Sequence, residues 1–141
     1  MKTRYIFIIV IVLIVIGAAI GLNMYYKKHA DVSKMNADYK LEASTLIDEF
    51  EQQEEAATAK YSEKVLEISG KLASKNQLSN GITLLMLEDE MQGISCQLDS
   101  SWATANRSVI ESLQAGSPVT VKGICKGYLM EIKVSPAVVL Q

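Results

Sequence analysis

The fold is decided by three segments of sequence: YSEKVLEISGKL (61–72), GITLLMLEDEMQGISCQL (81–98) and VTVKGICKGYLMEIKV (119–134). In each segment apolar residues alternate with polar ones, which is the pattern of a strand with one buried face. Asn80-Gly81, between the first two segments, is a strong hairpin-turn signal. We therefore predict five strands, at 65–72, 82–87, 94–98, 119–125 and 130–134, the last resuming at 138–140 beyond Pro136.

One helix interrupts this series of strands. Apolar residues from Trp102 to Leu113 recur at helical spacing, which predicts an amphipathic helix over 101–114 that Gly116-Ser117-Pro118 ends. Three strands, a helix and two strands in about 80 residues is the element order of the OB-fold, a five-stranded Greek-key barrel with a helix between strands 3 and 4. We predict a mainly β domain of this class over residues 61–141.

Two glycines and a set of apolar side chains fit such a barrel. Gly70 in the first strand and Gly123 in the fourth suit the sharp bends that closing a small barrel requires. The side chains that we expect inside the barrel are Leu66, Ile68, Ile94, Cys96, Leu98, Val119, Val121 and Ile132.

Residues 27–60 form a predicted tether and acidic helix ahead of the barrel. Residues 31–60 contain three basic and eight acidic side chains, a balance of −5. The part from Ala43 to Lys60 lacks Gly and Pro and is rich in good helix formers, so we predict an amphipathic helix there. We expect its apolar face to pack on the barrel, with docking to a basic partner as the alternative. The tract Asp31–Lys40 is expected to be a polar tether.

The amino-terminal segment, 1–26, is a predicted membrane anchor. YIFIIVIVLIVIGAAIGL at 5–22 holds 18 residues without a charge, and a helix of that length spans about 27 Å, close to a hydrocarbon core of ~30 Å. Tyr25 and Tyr26 follow at the expected headgroup level. A cleaved signal peptide, with Ala19-Ile20-Gly21 as its cleavage region, is the alternative.

The side of the membrane on which the domain lies depends on how this segment is inserted. Positive charges flank it almost equally, so the positive-inside rule decides little. An uncleaved signal anchor and a cleaved signal peptide both place residues 27–141 outside the cytoplasm, whereas an inverted anchor leaves them inside. We expect a single-pass protein of the cytoplasmic membrane, inserted through residues 5–26, with an extracytoplasmic C-terminal domain.

No catalytic, cofactor or metal site is predicted. The single His29 lies beside the predicted anchor, and no Cys/His cluster has metal-ligand spacing. The run Glu88-Asp89-Glu90 is typical of a solvated turn, and no Gly-rich phosphate loop precedes a helix. Cys96 and Cys125 both fall on inward positions, and two interpretations stay open for them: free buried thiols, or a disulfide in an oxidising compartment.

A binding face is the remaining functional candidate. OB domains bind ligands on the outer face of strands 2 and 3 and in adjoining loops. The side chains that we assign to such a face are Ser95, Gln97, Lys75, Lys122 and Lys126, with Thr83, Leu85 and Leu87 as further candidates on strand 2. Few aromatic side chains accompany them, and residues 27–141 carry a balance of −4, from 12 basic and 16 acidic side chains. We therefore predict a protein or peptide partner of the cell envelope, with single-stranded nucleic acid as the less favoured alternative.

The chain resembles the bacterial tRNA_anti-like family, which comprises membrane-anchored or exported proteins. The matching residues run through almost the whole chain. Besides the apolar anchor, they are Asp38-Tyr39, Leu46, Phe50, Glu54-Glu55-Ala56-Ala57, Tyr61-x-x-Lys64-Val65, Gly70, Gly93-x-x-Cys96 and the run from Val119 to Gly127. The resemblance implies an OB-fold like that of anticodon-binding domains and no defined activity. Family members often carry a further Cys in the last strand, where this chain reads Val134-Ser135-Pro136-Ala137, so a pairing with that Cys is absent or rearranged.

Overall fold

The computed structural model describes the backbone of residues 2–25, 31–79 and 81–140, and the side chains of residues 10–21, 31–79 and 81–140. The chain divides into two compact units, Met1–Ala30 and Asp31–Gln141. The first unit holds helix α1, Lys2–Tyr25. Among the described residues, no helix is long and apolar enough to span a membrane. The anchor predicted at 5–26 falls partly outside the described side chains and stays a prediction.

The second unit contains six strands and four helices in its described part. A 3₁₀ turn at Val32–Lys34 precedes the first strand. The strands are β1 (Tyr39–Glu42), β2 (Val65–Gln77), β3 (Thr83–Leu87), β4 (Ile94–Leu98), β5 (Pro118–Leu129) and β6 (Glu131–Leu140). The helices are α2 (Ala43–Gln52), α3 (Glu54–Tyr61), α4 (Ser100–Ala105) and α5 (Arg107–Ser112).

Strands β2 to β6 close into a five-stranded barrel. Each strand is hydrogen-bonded to its neighbours in the order β2-β3-β4-β6-β5, and β5 pairs again with β2. All these pairs are antiparallel except β4 with β6. With helices between the third and fourth barrel strands, this is the connectivity of an OB-fold, as the element order predicted.

The barrel core has the composition that strand alternation predicted. All eight side chains expected inside are buried, each at most 6% exposed. The two glycines are required by close approach of other groups. A Cβ on Gly70 would lie 2.6 Å from the Cβ of Ala43, and one on Gly123 would lie 2.9 Å from the carbonyl oxygen of Pro136.

The predicted helices are each broken into two. The predicted helix 101–114 is interrupted at Asn106, whose side chain donates to the carbonyl oxygen of Trp102 at 2.9 Å. The acidic helix is interrupted at Gln53, where the backbone leaves helical geometry (φ −147°, ψ 67°). Helix α2 then contacts β2 while α3 contacts β5, so both halves pack on the barrel. Sequence periodicity does not register such a break, because helix formers continue on both sides of it.

The tether predicted at 31–40 is wrong, because residues 31–42 bind along the outside of the barrel. We call these residues the strap. Val32 is 1% exposed, and β1 pairs in parallel with Leu66–Ser69 of β2. The Asp38 amide donates to the Val65 carbonyl oxygen at 2.7 Å, and the Val65 amide donates to the Asp38 carboxylate at 2.8 Å. The strap was missed because it is polar and its partner strand is distant in sequence.

One lysine fastens the strap to the barrel. Lys122 of β5 is only 9% exposed, and its Nζ donates to the carbonyl oxygens of Ser33 at 2.9 Å and Met35 at 3.0 Å. Charged donors make the stronger hydrogen bonds, and a carbonyl left without its donor in a part-buried site costs free energy. Lys122 therefore contributes to folding, in contrast to its predicted place on a ligand face.

We expect Lys122→Met to lower the free energy of unfolding by about 2–3 kcal/mol, because two charge-assisted hydrogen bonds are lost. Urea denaturation of the full chain measures this effect. Lys126→Met is the matched control: Lys126 forms a part-exposed ion pair with Glu63 at 2.8 Å, and such pairs contribute at most about 1 kcal/mol. Equal losses for the two variants would contradict the role assigned to Lys122.

Candidate binding face

The outer face of β3 and β4 is neutral and largely apolar. In the register of these strands, Leu84 lies opposite Gln97 and Met86 lies opposite Ser95. Met86 and Ser95 are 6% and 7% exposed, Leu84 is half-buried and Gln97 is exposed. The two strands carry no charged and no aromatic residue. Ser95 and Gln97 are therefore on the predicted face, and their neighbours on β3 are apolar.

The assignment of β3 to its faces was inverted in the prediction. Thr83, Leu85 and Leu87, expected on the outer face, are at most 5% exposed, and both leucines belong to the barrel core. The strand reads TLLML, and a continuous apolar run does not indicate which alternate set points inward. Pairing with β4 shows which set points inward, because register partners share a face and Leu85 is the partner of buried Cys96.

The three lysines predicted for this face have separate structural partners. Lys75 donates to the carbonyl oxygens of Ile110 at 2.7 Å and Leu113 at 3.0 Å, at the end of α5. Lys122 holds the strap, and Lys126 donates to both carboxylate oxygens of Glu63, at 2.8 and 3.1 Å. These three side chains therefore do not form one basic patch with Ser95 and Gln97.

Lys133 is a basic residue near the face that the prediction missed. It lies on β6 opposite Ser95, in the parallel pairing of β4 with β6, and it is exposed. The alternation Glu131-Ile132-Lys133 already marks it as outward. Its proximity to Ser95 follows only from the barrel topology, which pairs the third strand with the last.

The aromatic side chains hold helices on the barrel. Phe50 of α2 stacks on Tyr128 of β5 with ring centroids 5.7 Å apart, and it lies 6.2 Å from Tyr61 of α3. Tyr39 of β1 meets Tyr61 edge-on at 5.1 Å. Trp102 packs half-buried against the core. Stacking of bases requires exposed rings, and these five rings are engaged in packing instead.

A polar contact accompanies this aromatic cluster. The Glu49 carboxylate of α2 accepts from Lys60 Nζ and from the Tyr61 hydroxyl, each at 2.9 Å. The hydrogen bond from Lys60 is the main reason that the pKa of Glu49 is lowered. Buried Ala43, Leu46 and Phe50 line the other side of α2, so the acidic helix packs on the barrel and presents its carboxylates to solvent.

A cavity of about 740 Å³ opens where β2, β5 and α5 meet, and two pairs of its polar groups are bonded to one another. The hydroxyl oxygens of Ser69 and Thr120 lie 3.1 Å apart, and Glu88 Oε1 accepts from the Lys71 amide at 2.8 Å. Within the described residues, no three His, Cys, Asp or Glu side chains are grouped as metal ligands would be.

Cys96 and Cys125 are both buried and both free. Val134 of β6 is the register partner of each, so one strand lies between them. Two strand spacings amount to about 9–10 Å, beyond the ~7 Å Cα separation that a disulfide spans. The disulfide alternative is therefore not realised in this structure. Burial raises the pKa of Cys96 to about 12 and also raises the pKa of Cys125, which keeps both thiols protonated at neutral pH.

Comparison with known proteins adds a related structure and a family. A Klebsiella pneumoniae lipoprotein, whose name proposes nucleic-acid binding, has a crystal structure with a TM-score of 0.59 to this chain at 17% identity, covering 82% of this chain and 100% of that one. Asparaginyl-tRNA synthetase from Pyrococcus horikoshii has a TM-score of 0.43 at 17% identity, covering 58% of this chain and 21% of the synthetase. No curated protein matches the sequence.

The lipoprotein comparison shows a common fold over most of the chain, and it agrees with the closed five-stranded barrel described above. The family model for tRNA_anti-like proteins matches residues 1–136. That match spans the apolar segment, the strap, the helices and all but the end of β6. The resemblance inferred from the sequence is confirmed, and the chain belongs to the tRNA_anti-like family.

Proposed function

We propose that this chain is a non-enzymatic binding module of the bacterial cell envelope, anchored in the cytoplasmic membrane by residues 5–26. Its ligand is a protein or peptide that docks on the outer face of β3 and β4. The observation that carries this proposal is the chemistry of that face: the exposed amide of Gln97 lies beside half-buried Leu84 on two strands without a charged residue, and Met86 and Ser95 are buried next to them. Neutral, partly apolar surfaces are typical of protein–protein interfaces.

The anchor rests on the apolar run 5–22. It is uncharged over 18 residues, and the backbone of α1 is helical from Lys2 to Tyr25. A helix with that sequence matches the thickness of a hydrocarbon core. The compact unit that begins at Asp31 would then be on the extracytoplasmic side of the membrane.

A topology reporter tests this placement. A reporter that is active only outside the cytoplasm, fused after Gln141, is expected to be active in cells, because a signal anchor exports the part of the chain on its C-terminal side. The same fusion to a reporter that is active only in the cytoplasm is the control and should be silent. The reverse pattern would contradict the extracytoplasmic assignment.

Single-stranded nucleic-acid binding is the second candidate, and the name proposed for the Klebsiella pneumoniae lipoprotein favours it. OB barrels that bind such strands combine a basic groove with exposed aromatic rings, each stacked base contributing about 1–3 kcal/mol. In this chain Lys75, Lys122 and Lys126 have partners within the domain, and the aromatic rings pack between helices and barrel. These contacts make a protein ligand the better supported proposal.

We expect the full chain to show no salt-dependent binding of a fluorescent single-stranded oligonucleotide at physiological salt, because a free cationic groove is what produces such binding. A photo-crosslinking amino acid at position 97 should attach to protein in living cells. Position 52, an exposed glutamine on α2, is the matched control and should not give the same product. Micromolar oligonucleotide binding that weakens with salt, together with nucleic-acid crosslinks from position 97, would favour the second candidate.

A further inference from the structure

Three large apolar side chains stand exposed on two adjacent turns at one end of the barrel. Met91 is 81% exposed on the turn between β3 and β4, and Leu129 and Met130 are 75% and 83% exposed on the turn between β5 and β6. The two turns are neighbours, because the Ile132 amide donates to the Gly93 carbonyl oxygen at 3.2 Å. We call Met91, Leu129 and Met130 the end patch.

Hydrogen bonds and backbone geometry define the path of both turns. Asp89 Oδ1 accepts from the amides of Met91 at 2.7 Å and Gln92 at 2.9 Å, and these bonds lower the pKa of Asp89. Met130 has a left-handed backbone (φ 66°) between Leu129 and Glu131, which are register partners. Glycine would adopt this conformation with less strain, and an exposed methionine side chain adds no stability to the fold in exchange. The two turns thus present these side chains to solvent.

The surroundings of the end patch are acidic. Residues 89–93 and 129–133 contain three carboxylates, Asp89, Glu90 and Glu131, and one basic residue, Lys133. Lys133 and Lys126 share a shallow pocket with Leu129, and Lys126 is paired with Glu63. The Glu88 carboxylate faces the cavity between β2, β5 and α5 instead. Asp89 and Glu90 are exposed, and Glu131 directly follows Met130. An apolar centre with a negative rim is complementary to a surface that has apolar side chains flanked by positive charges.

We propose that the end patch binds an amphipathic protein segment that presents large aliphatic side chains together with Lys or Arg. This proposal rests on the proposed function, of which it names the partner class. Methionine side chains are flexible and polarisable, so they adapt to the apolar groups of different segments. The carboxylates of Asp89, Glu90 and Glu131 select the basic segments. They also repel the headgroups of anionic lipids and the phosphates of nucleic acid, which disfavours both as occupants.

Methionine-methyl NMR of the full chain in neutral detergent tests the patch directly. The probes are two 12-residue amphipathic peptides that differ only in having Lys or Glu at their charged positions. We expect the Leu/Lys peptide to shift the methyl signals of Met91 and Met130 saturably, and the Leu/Glu peptide to leave them unchanged. The signal of Met86, which is 6% exposed, should move less than either.

Variants connect the affinity to the patch. Anisotropy of the labelled Leu/Lys peptide should show binding at least tenfold weaker for Met91→Gln/Met130→Gln, since truncating central interface side chains removes most of an interface's affinity. The control is Met35→Gln, an exposed methionine of the strap, with affinity unchanged. The double variant Glu90→Lys/Glu131→Lys should bind the Leu/Glu peptide more tightly than the Leu/Lys peptide.

Three results would overturn the end patch as a site for basic segments. They are equal binding of the two peptides, unchanged affinity in the double methionine variant, and displacement of the peptide by phosphatidylglycerol vesicles or by the oligonucleotide. If the peptides do not bind and the oligonucleotide does not bind either, only the assignment of the end patch is wrong. Salt-dependent oligonucleotide binding removes the proposed function itself, so the two failures are distinguishable.

Discussion

Seven consecutive residues of β2, Val65–Lys71, pair with Pro118–Ile124 of β5, and this antiparallel pairing closes the barrel. Closure leaves the other edge of the same stretch of β2 free, and β1 pairs there in parallel. The strap, the helices that come after it and the buried Lys122 are all placed by that arrangement. Near its start, β2 has β5 on one side only, so its other edge would be exposed. The additional strand β1 covers that edge, which would otherwise be open to pairing with another chain.

Contacts within the domain engage cationic and aromatic residues of β5. Lys122 is outward on β5, but the strap lies over it and accepts its hydrogen bonds. Tyr128, near the end of β5, stacks on Phe50 of α2. The surface left open to ligands is neutral on β3 and β4 and apolar with an acidic rim at the end patch. The protein partner proposed for both regions rests on one physical argument, that apolar burial provides affinity and charge provides selectivity.

Local patterns predicted the parts of this fold that depend on local physics. Alternation located the strands and their buried residues, such as Ile68 and Val121, because the side-chain period of a strand is two. The strap was missed because its four-residue strand, YKLE, has no apolar run of its own and gains its stability from β2. Lys122 was placed on a ligand face because a sequence shows a charge and not its partner. The end patch had no signal either, since exposure of a Met or Leu depends on which turn carries it.

The strap is bonded to the barrel, and we expect it to open only when the barrel unfolds. Native-state hydrogen exchange of the full chain tests this claim through two amides: Asp38, bonded to the Val65 carbonyl oxygen, and Cys125, bonded to the Lys64 carbonyl oxygen. If both open by global unfolding, their free energies of opening should agree within about 1 kcal/mol. An opening free energy of Asp38 several kcal/mol below that of Cys125 would show that the strap detaches from an intact barrel, and it would contradict the account.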